Sequence, residues 1–322
     1  SMKIVKWGII GCGKVTEVKS GPGFQLAQNS DLVAVMRRDA GKARDYAERH
    51  HVQKWYSDAE KLINDPDVNA VYIATPPSSH KDYTLMVAKA GKPVYVEKPM
   101  ALNYRECREM TEACENAGVP LFVAYYRRAL PRFLAIKKMI DEGKIGIVRF
   151  ANTVYYSPPT DDDIAGKENW RVNPEISGGG YFVDLGCHTL DILQFFFGEI
   201  ISATGHATNQ GGLYKAEDMV SGMYIFSSGV QGSGNWCFSA FMHLDRTEIV
   251  GDKGKITFST FGNDPVLLEN TEGAELLDLP NPLHIQQPFI QTMVNELLGA
   301  GKCQSTGHTA ARTNWAMDRM LG

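Results

Sequence analysis

The sequence predicts an α/β domain built on a parallel sheet, followed by an α+β domain with a mostly antiparallel sheet. Short apolar runs alternate with helical patterns from Lys3 to Ala124, whereas the later chain is a succession of strand-like runs. The residues best suited to chemistry in the first part sit just after those runs, at the strand ends where a parallel sheet offers its ligand crevice. At 322 residues the chain is long enough for two ordinary domains, read as 1–124 and 125–322.

Composition narrows the function classes. An apolar content of 43% fits a globular protein, and a net charge of -4 without long charge runs gives no basic field for nucleic acid. No apolar run is long enough for a membrane span, and a strand begins at Lys3, so a cytoplasmic protein with a small-molecule partner is expected. The six cysteines lack metal-type spacing and read as free thiols.

In the first domain, the strand Ile4 to Ile10 ends in Gly11-Cys12-Gly13-Lys14-Val15 and a helical pattern interrupted by Gly21-Pro22-Gly23. Gly11 permits the tight turn and Gly13 lets backbone amides approach a pyrophosphate at a helix N-terminus. Thr16 holds the place of the usual third glycine, so the helix is expected slightly further from the strand. Leu32 to Met36 is a second strand, followed by Arg37-Arg38 where an acid would read a ribose. A helix follows from Asp39 to His51, and the third strand, Val68 to Ala74, ends in Thr75-Pro76-Pro77-Ser78-Ser79-His80. Tyr83 to Ala90 is helical, and the fourth strand, Val94 to Val96, runs into Glu97-Lys98-Pro99. A lysine held by a following proline suits a hydrogen bond to a substrate oxygen, with a pKa lowered by desolvation. The helix Tyr104 to Ala117 and the strand Leu121 to Ala124 close the domain.

In the second domain, Phe133 to Glu142 is helical and Phe150 to Tyr156 alternates as a strand. The stretch Ser157 to Asp163, with its successive aspartates, reads as a solvated rim. The glycine run Gly178 to Gly180 is expected to let a ligand approach the backbone at the entry to a helix spanning Tyr181 to Phe197. There Asp184, His188 and Asp191 share one stripe beside the apolar Leu185, Ile192 and Phe196. Acids and an imidazole beside a packed stripe lose hydration unless they find partners, which marks a candidate site; a satisfied core histidine is the competing reading. Six strand-like runs follow between Ile200 and Glu269, then the helices Gln286 to Leu298 and Thr309 to Leu321, the last expected to pack near the first domain. Met219 to Phe226 is apolar on both faces, and one flat, aromatic sheet face is expected to mediate a homodimer or homotetramer.

These motifs together resemble the Gfo/Idh/MocA family, named for glucose-fructose oxidoreductase, inositol dehydrogenase and rhizopine catabolism. The resemblance rests on Gly11-Cys12-Gly13, Ala74 to His80, Glu97-Lys98-Pro99, Trp170-Arg171, and the run from Gly178 through Asp184 and His188 to Asp191. It implies a Rossmann domain carrying NAD or NADP and a second domain with a large open sheet. It also implies that Lys98 and His188 surround the reacting carbon, with Asp184 as the motif aspartate. The candidate cofactor-binding residues are Gly11, Cys12, Gly13, Lys14, Val15, Arg37, Arg38, Thr75, Pro76, His80, Glu97 and Lys98.

The expected activity is hydride transfer between nicotinamide and a hydroxyl or carbonyl carbon of a sugar, polyol or related small molecule. His188 serves as proton acceptor, because an unperturbed imidazole titrates near neutral pH. Asp184 orients the substrate or favours imidazolium, Lys98 stabilises charge on the substrate oxygen, and Tyr126, Arg128, Trp170 and Arg171 are candidate pocket walls. The arginine pair in place of an acid favours NADP, with NAD possible. A cofactor-binding regulator on the same fold and an NAD-dependent glycosidase are the alternatives. A metal reading of Asp184 and His188 lacks a third ligand.

Overall fold

The computed structural model describes all residues from Ser1 to Gly322, which form two compact units. Unit 1 comprises Ser1–Ala101, Arg105–Leu130 and Pro282–Ala311; unit 2 comprises Leu102–Tyr104, Pro131–Asn281 and Arg312–Gly322. The units are therefore not contiguous in sequence. The stretches 125–130 and 282–311, read from the sequence as second-domain, group with unit 1.

The first part of the chain runs β1 (Val5–Ile10), α1 (Lys14–Val18), α2 (Gly21–Leu26), β2 (Ser30–Met36), α3 (Ala40–Arg49), β3 (Lys54–Tyr56) and α4 (Ala59–Ile63). It continues with β4 (Ala70–Ile73), α5 (His80–Lys89), β5 (Val94–Val96), α6 (Tyr104–Ala117) and β6 (Leu121–Val123). Six parallel strands lie in the order β3-β2-β1-β4-β5-β6. The order reverses at β1, which places β1 and β4 at the crevice where open parallel sheets bind ligands. Both faces are covered, so β4 and β5 are buried throughout, as their unbroken apolar runs require. Trp7, Phe24, Tyr72 and Tyr95 form a connected aromatic core, with the Tyr72 and Tyr95 rings stacked at 4.7 Å.

Elements β3 and α4 are absent from the sequence reading. Lys54-Trp55-Tyr56 is three residues of edge strand with a polar start, too short to establish a period. Thr16 is fully buried and its hydroxyl donates to Gly13 O at 2.7 Å. A close approach between helices occurs at Gly21 in α2, where a methyl group would lie 2.2 Å from both Thr16 O of α1 and Tyr46 OH of α3.

The chain then forms α7 (Pro131–Asp141), β7 (Val148–Tyr156), α8 (Asp161–Ile164), α9 (Pro174–Ser177) and α10 (Cys187–Phe197). Seven strands follow: β8 (Ile200–Thr208), β9 (Met219–Phe226), β10 (Gln231–Cys237), β11 (Leu244–Gly251), β12 (Gly254–Phe258), β13 (Val266–Asn270) and β14 (Gly273–Leu277). With β7 they form an eight-stranded sheet in the order β14-β13-β12-β11-β7-β10-β9-β8, antiparallel except between β7 and β10. Two helices end the chain, α11 (Gln287–Leu297) and α12 (Gly307–Leu321).

One face of this sheet is packed and the other is open. Val220, Tyr224, Phe226 and Trp236 are buried, so the aromatic face is the covered one. The open face carries Phe150, Ile201, Met223 and Ile225 among serines and asparagines, and is less aromatic than the sequence reading expected. Gly205, Gly222 and Gly234 lie in register across β8, β9 and β10. A methyl group on Gly222 would lie 2.1 Å from Met320 Cε and one on Gly205 2.7 Å from Met320 O, so these two glycines admit the end of α12, while Gly234 makes room for the Trp236 ring. Only the first turn of α12 groups with unit 1; the remainder is in unit 2, where Arg312 Nη2 donates to Ile200 O at 2.7 Å.

Asp163 departs from the solvated rim. It is 3% exposed and its Oδ2 accepts a 2.6 Å bond from Tyr181 OH. Thr160 Oγ1 caps α8 by accepting from Asp163 N, so the aspartate run turns into a helix.

Candidate functional site

In unit 1, Gly11, Arg37, Thr75, Lys98 and Tyr126 follow the carboxyl ends of β1, β2, β4, β5 and β6. Gly11 has φ +87°, and a methyl group there would lie 2.7 Å from Thr75 Cγ2. Glycine is thus required both by its left-handed conformation and by the neighbouring turn. The missing Cβ of Gly13 has only Gly11 O within 4 Å, at 3.8 Å, and no side chain caps α1. The loop therefore leaves room for a ligand beside the first amides of α1, those of Lys14 and Val15. Cys12 offers neither of its groups. Its amide donates to Met36 O at 3.1 Å, and its thiol is buried and pushed up to about 11 by desolvation, against the opposing pull of Arg37.

Arg37 is half-buried and Arg38 exposed. Asp39, the next acid, is engaged elsewhere: its Oδ1 caps α3 by accepting from Lys42 N at 3.0 Å. Arg37 and Arg38, and no carboxylate, directly follow β2.

Two residues assigned to the cofactor by sequence face the protein. His80 is fully buried, with Nε2 2.6 Å from Thr75 O and Nδ1 3.1 Å from both Pro99 O and Met100 O. It ties the turn after β4 to the turn after β5. Burial pushes its pKa down against the pull of these carbonyls. Glu97 is 6% exposed; its Oε1 accepts from Tyr72 OH at 2.5 Å and Gln286 Nε2 at 2.8 Å, and its Oε2 from Lys98 N at 3.2 Å. Gln286 also bonds the Tyr95 hydroxyl. Both residues position the Lys98 turn, whose bond to Pro99 is cis. Gln286 lies nearly two hundred residues away in sequence, so only Tyr72 and Tyr95, polar-tipped residues in apolar strands, signalled the network.

Thr75 Oγ1 accepts from Ser79 Oγ at 2.6 Å, and Pro76 precedes a 3₁₀ turn of Pro77–Ser79. Tyr126 and Arg128 are 6% and 7% exposed in a second 3₁₀ turn, and Arg128 Nη1 donates to Gln304 O at 3.0 Å. Arg128 is thus placed in the interior of unit 1, less available to a ligand than the sequence reading expected.

In unit 2, Trp170 and Arg171 lie in a 3₁₀ turn whose start is capped by Asn169, Oδ1 accepting from Arg171 N. The Arg171 guanidinium stacks 4.4 Å from the Trp170 ring, and its Nε lies 3.5 Å from Asp184 Oδ2. Asp184 stands in a π-helical turn, Phe182–Gly186, which leads into α10. That turn is wider than the α-helical one expected, so Asp184, His188 and Asp191 do not share one regular stripe. His188 and Asp191 are 5% and 1% exposed, and the His188 ring meets Phe261 edge-on at 5.6 Å.

The glycine run serves packing. A methyl group on Gly178, where φ is +87°, would lie 2.8 Å from Leu102 O; on Gly179 it would lie 2.7 Å from Glu217 Oε1. Gly180 N donates to Glu217 Oε1 at 2.7 Å, and burial raises the Glu217 pKa. Protein groups, not a ligand, make the close approach, which corrects the sequence expectation. Glu217 itself gave no sequence signal, because its partners are thirty-seven residues away.

An uncapped helix behind a glycine turn, at the reversal point of a parallel sheet, defines a dinucleotide-binding protein. With a carboxylate and an imidazole one turn apart at one helix entry of the second unit, and a guanidinium 3.5 Å from that carboxylate, the class is that of a dinucleotide-dependent oxidoreductase. Residues 5–125 match the model of the oxidoreductase family with an NAD-binding Rossmann fold, and residues 133–257 match that of the GFO/IDH/MocA C-terminal domain. The chain is 42% identical over 319 residues to Oxidoreductase P35 of Formosa agariphila, covering 99% of this chain and 98% of that protein. It is 28% identical to the scyllo-inositol 2-dehydrogenase (NAD(+)) of Bacillus subtilis, with 96% and 89% covered. Its fold superposes on the WlbA dehydrogenase of Bordetella pertussis, solved with NADH and UDP-GlcNAcA, with a TM-score of 0.85 at 21% identity over 99% and 94% of the chains. The chain belongs to the Gfo/Idh/MocA family of oxidoreductases.

Proposed function

We propose that the protein transfers a hydride between a nicotinamide dinucleotide and a CH–OH or carbonyl carbon of a sugar or polyol. The carrying observation is the set on the α10 entry, where Asp184 is held by Arg171 and followed by the nearly buried His188. Relatives named as an inositol dehydrogenase and as a dihydrobenzene-diol dehydrogenase support a hydroxylated ring as substrate.

The bound dinucleotide supplies the hydride acceptor or donor. Gly11 shapes the turn, and the amides of Lys14 and Val15 receive the pyrophosphate at the uncapped start of α1. Thr75 and Pro76 border that turn. In oxidation an imidazole nitrogen of His188 accepts the hydroxyl proton, and the Lys98 ammonium stabilises negative charge on the same substrate oxygen. Asp184 orients the substrate and favours the imidazolium that results. Trp170 and Arg171 wall the substrate, and His80 and Glu97 hold the Lys98 turn in place.

We assign NADP as the preferred cofactor, with Arg37 on the 2′-phosphate and Arg38 stacked on adenine. The support is that no carboxylate follows β2 and that Asp39 is committed to its helix cap. We also read the protein as a cytoplasmic homodimer or homotetramer joined through the open sheet face, which exposes Met223 by 64% and Phe150 by 43%. No helix is long and apolar enough to cross a membrane.

The test is a screen of sugars and polyols at fixed NADP and NAD, following absorbance of the reduced cofactor. Turnover of at least one hydroxylated ring is expected; binding of cofactor without oxidation of any such compound overturns the reading. Light scattering that gives a 35.6 kDa monomer at all concentrations overturns the assembly.

A further inference from the structure

A recess of about 550 Å³ opens in unit 2 between residues 163–175 and 213–215, and none of its walls is used by the reaction proposed above. Its size suits a small molecule. Tyr214, Leu213 and Pro174 offer carbon surface, while Asp163 and Asn173 offer polar groups. Such a mixture fits a sugar ring, whose apolar faces lie on aromatic or aliphatic surface while its hydroxyls bond to carboxylates and amides. The charges argue against a phosphate or a polyamine. Lysines 167 and 215 stand beside Asp163, Glu168 and Glu175, so neither sign dominates.

Asp163 supplies the second observation. It is 3% exposed; Oδ2 takes the Tyr181 hydroxyl, but Oδ1 has no hydrogen-bond partner. A buried carboxylate oxygen is costly without a donor, and Oδ1 gains one from a hydroxyl in the recess once the Asp163 side chain turns toward it. The recess also adjoins the catalytic helix. Tyr181 OH accepts from Asn169 Nδ2 at 3.1 Å and stands three residues before Asp184, while Arg171, two residues past Asn169, reaches Asp184 at 3.5 Å.

We propose that this recess is a subsite for a second sugar ring, so that the substrate is a disaccharide or glycoside oxidised on the ring next to His188. The identity of the reaction rests on the hydride-transfer reading; the subsite does not. The test compares glucose with cellobiose, maltose and lactose, using wild-type protein and Leu213→Trp. Leu213 is 37% exposed on the recess wall, so the larger side chain fills the recess without entering the core. At least one disaccharide is expected to exceed glucose in kcat/KM by tenfold or more. Leu213→Trp should bring it down to the glucose level, leaving glucose turnover and the melting temperature unchanged. Disaccharides no better than glucose, or a variant that lowers both alike, overturn the proposal. Saturation-transfer NMR with the same disaccharides and cofactor-free protein separates the two readings. Binding lost in Leu213→Trp, without turnover of any sugar, sustains the subsite and defeats the hydride-transfer reading; absence of both binding and turnover preference defeats the subsite.

Discussion

Arg171 Nε stands 3.5 Å from Asp184 Oδ2, with the guanidinium stacked on Trp170, so a half-exposed cation fixes the acid that precedes His188 on the same helix. The pair is partly solvated and adds little to stability, about 0.2–1 kcal/mol. Arg171→Gln is therefore expected to leave the melting temperature nearly unchanged while lowering kcat/KM roughly fivefold to tenfold, because Asp184 loses its orientation. Unaltered kcat/KM would place the pair outside the reaction.

His188→Ala and Lys98→Ala are each expected to lower turnover by roughly a hundredfold or more, the usual scale for a positioned acid-base group. Fluorescence titration should show cofactor still bound. If either variant keeps wild-type turnover on an identified substrate, its assignment fails.

Cofactor choice follows from the absence of an acid after β2. One charge contact near the surface is worth at most about 4 kcal/mol before desolvation and screening, so a preference for NADP of roughly ten- to a thousandfold is expected. Arg37→Asp should reduce or reverse it. Equal wild-type affinity for the two cofactors at moderate salt, or tighter NAD, counts against Arg37.

Tyr72→Phe removes one of the two donors to Glu97 Oε1 inside unit 1. A hydrogen bond to a buried charged acceptor is worth about 1.5–3 kcal/mol, and a drop in thermal stability of that size is expected by calorimetry. Because the same carboxylate accepts from Lys98 N, kcat should fall as well. A variant as stable and active as wild type would show that the network does not hold the Lys98 turn.

Glu217 gives a pH dependence of known sign. Burial raises its folded pKa above the ordinary carboxylate value, so protonation is favoured in the folded state and stability falls as pH rises through the folded pKa. Glu217→Gln keeps an acceptor for Gly180 N and removes the buried charge. The variant should melt higher than wild type at pH 7, with the gap closing below pH of about 4, where the carboxyl is protonated in both states. A gap that is absent at pH 7 or widens in acid would contradict this account.

The parallel sheet was legible because its signal is local. Each buried strand is a short apolar run, each turn carries its own glycine or proline, and strand ends fall where the runs stop, so Gly11, Arg37, Thr75 and Lys98 were placed from sequence alone. The same locality explains the agreement of α6 with the sequence range of Tyr104 to Ala117, and of β9 with Met219 to Phe226. Partnership was not legible, because it joins residues remote in sequence. His80 and Glu97 belonged to motifs and were read as ligand-facing, yet a fully buried imidazole facing carbonyls and a carboxylate bonded by Tyr72 and Gln286 are fixed by the packing of strand ends. The glycine run before Asp184 signalled close approach correctly but not the approaching group; Leu102 and Glu217 fill that space. The π-helical turn at Asp184 was equally hidden, since a residue inserted into one turn leaves the surrounding apolar pattern nearly intact. Sequence thus determined the order of elements and the residues at the strand ends, while tertiary structure decided which side chains remain for a ligand, because burial and hydrogen-bond partners come from distant segments.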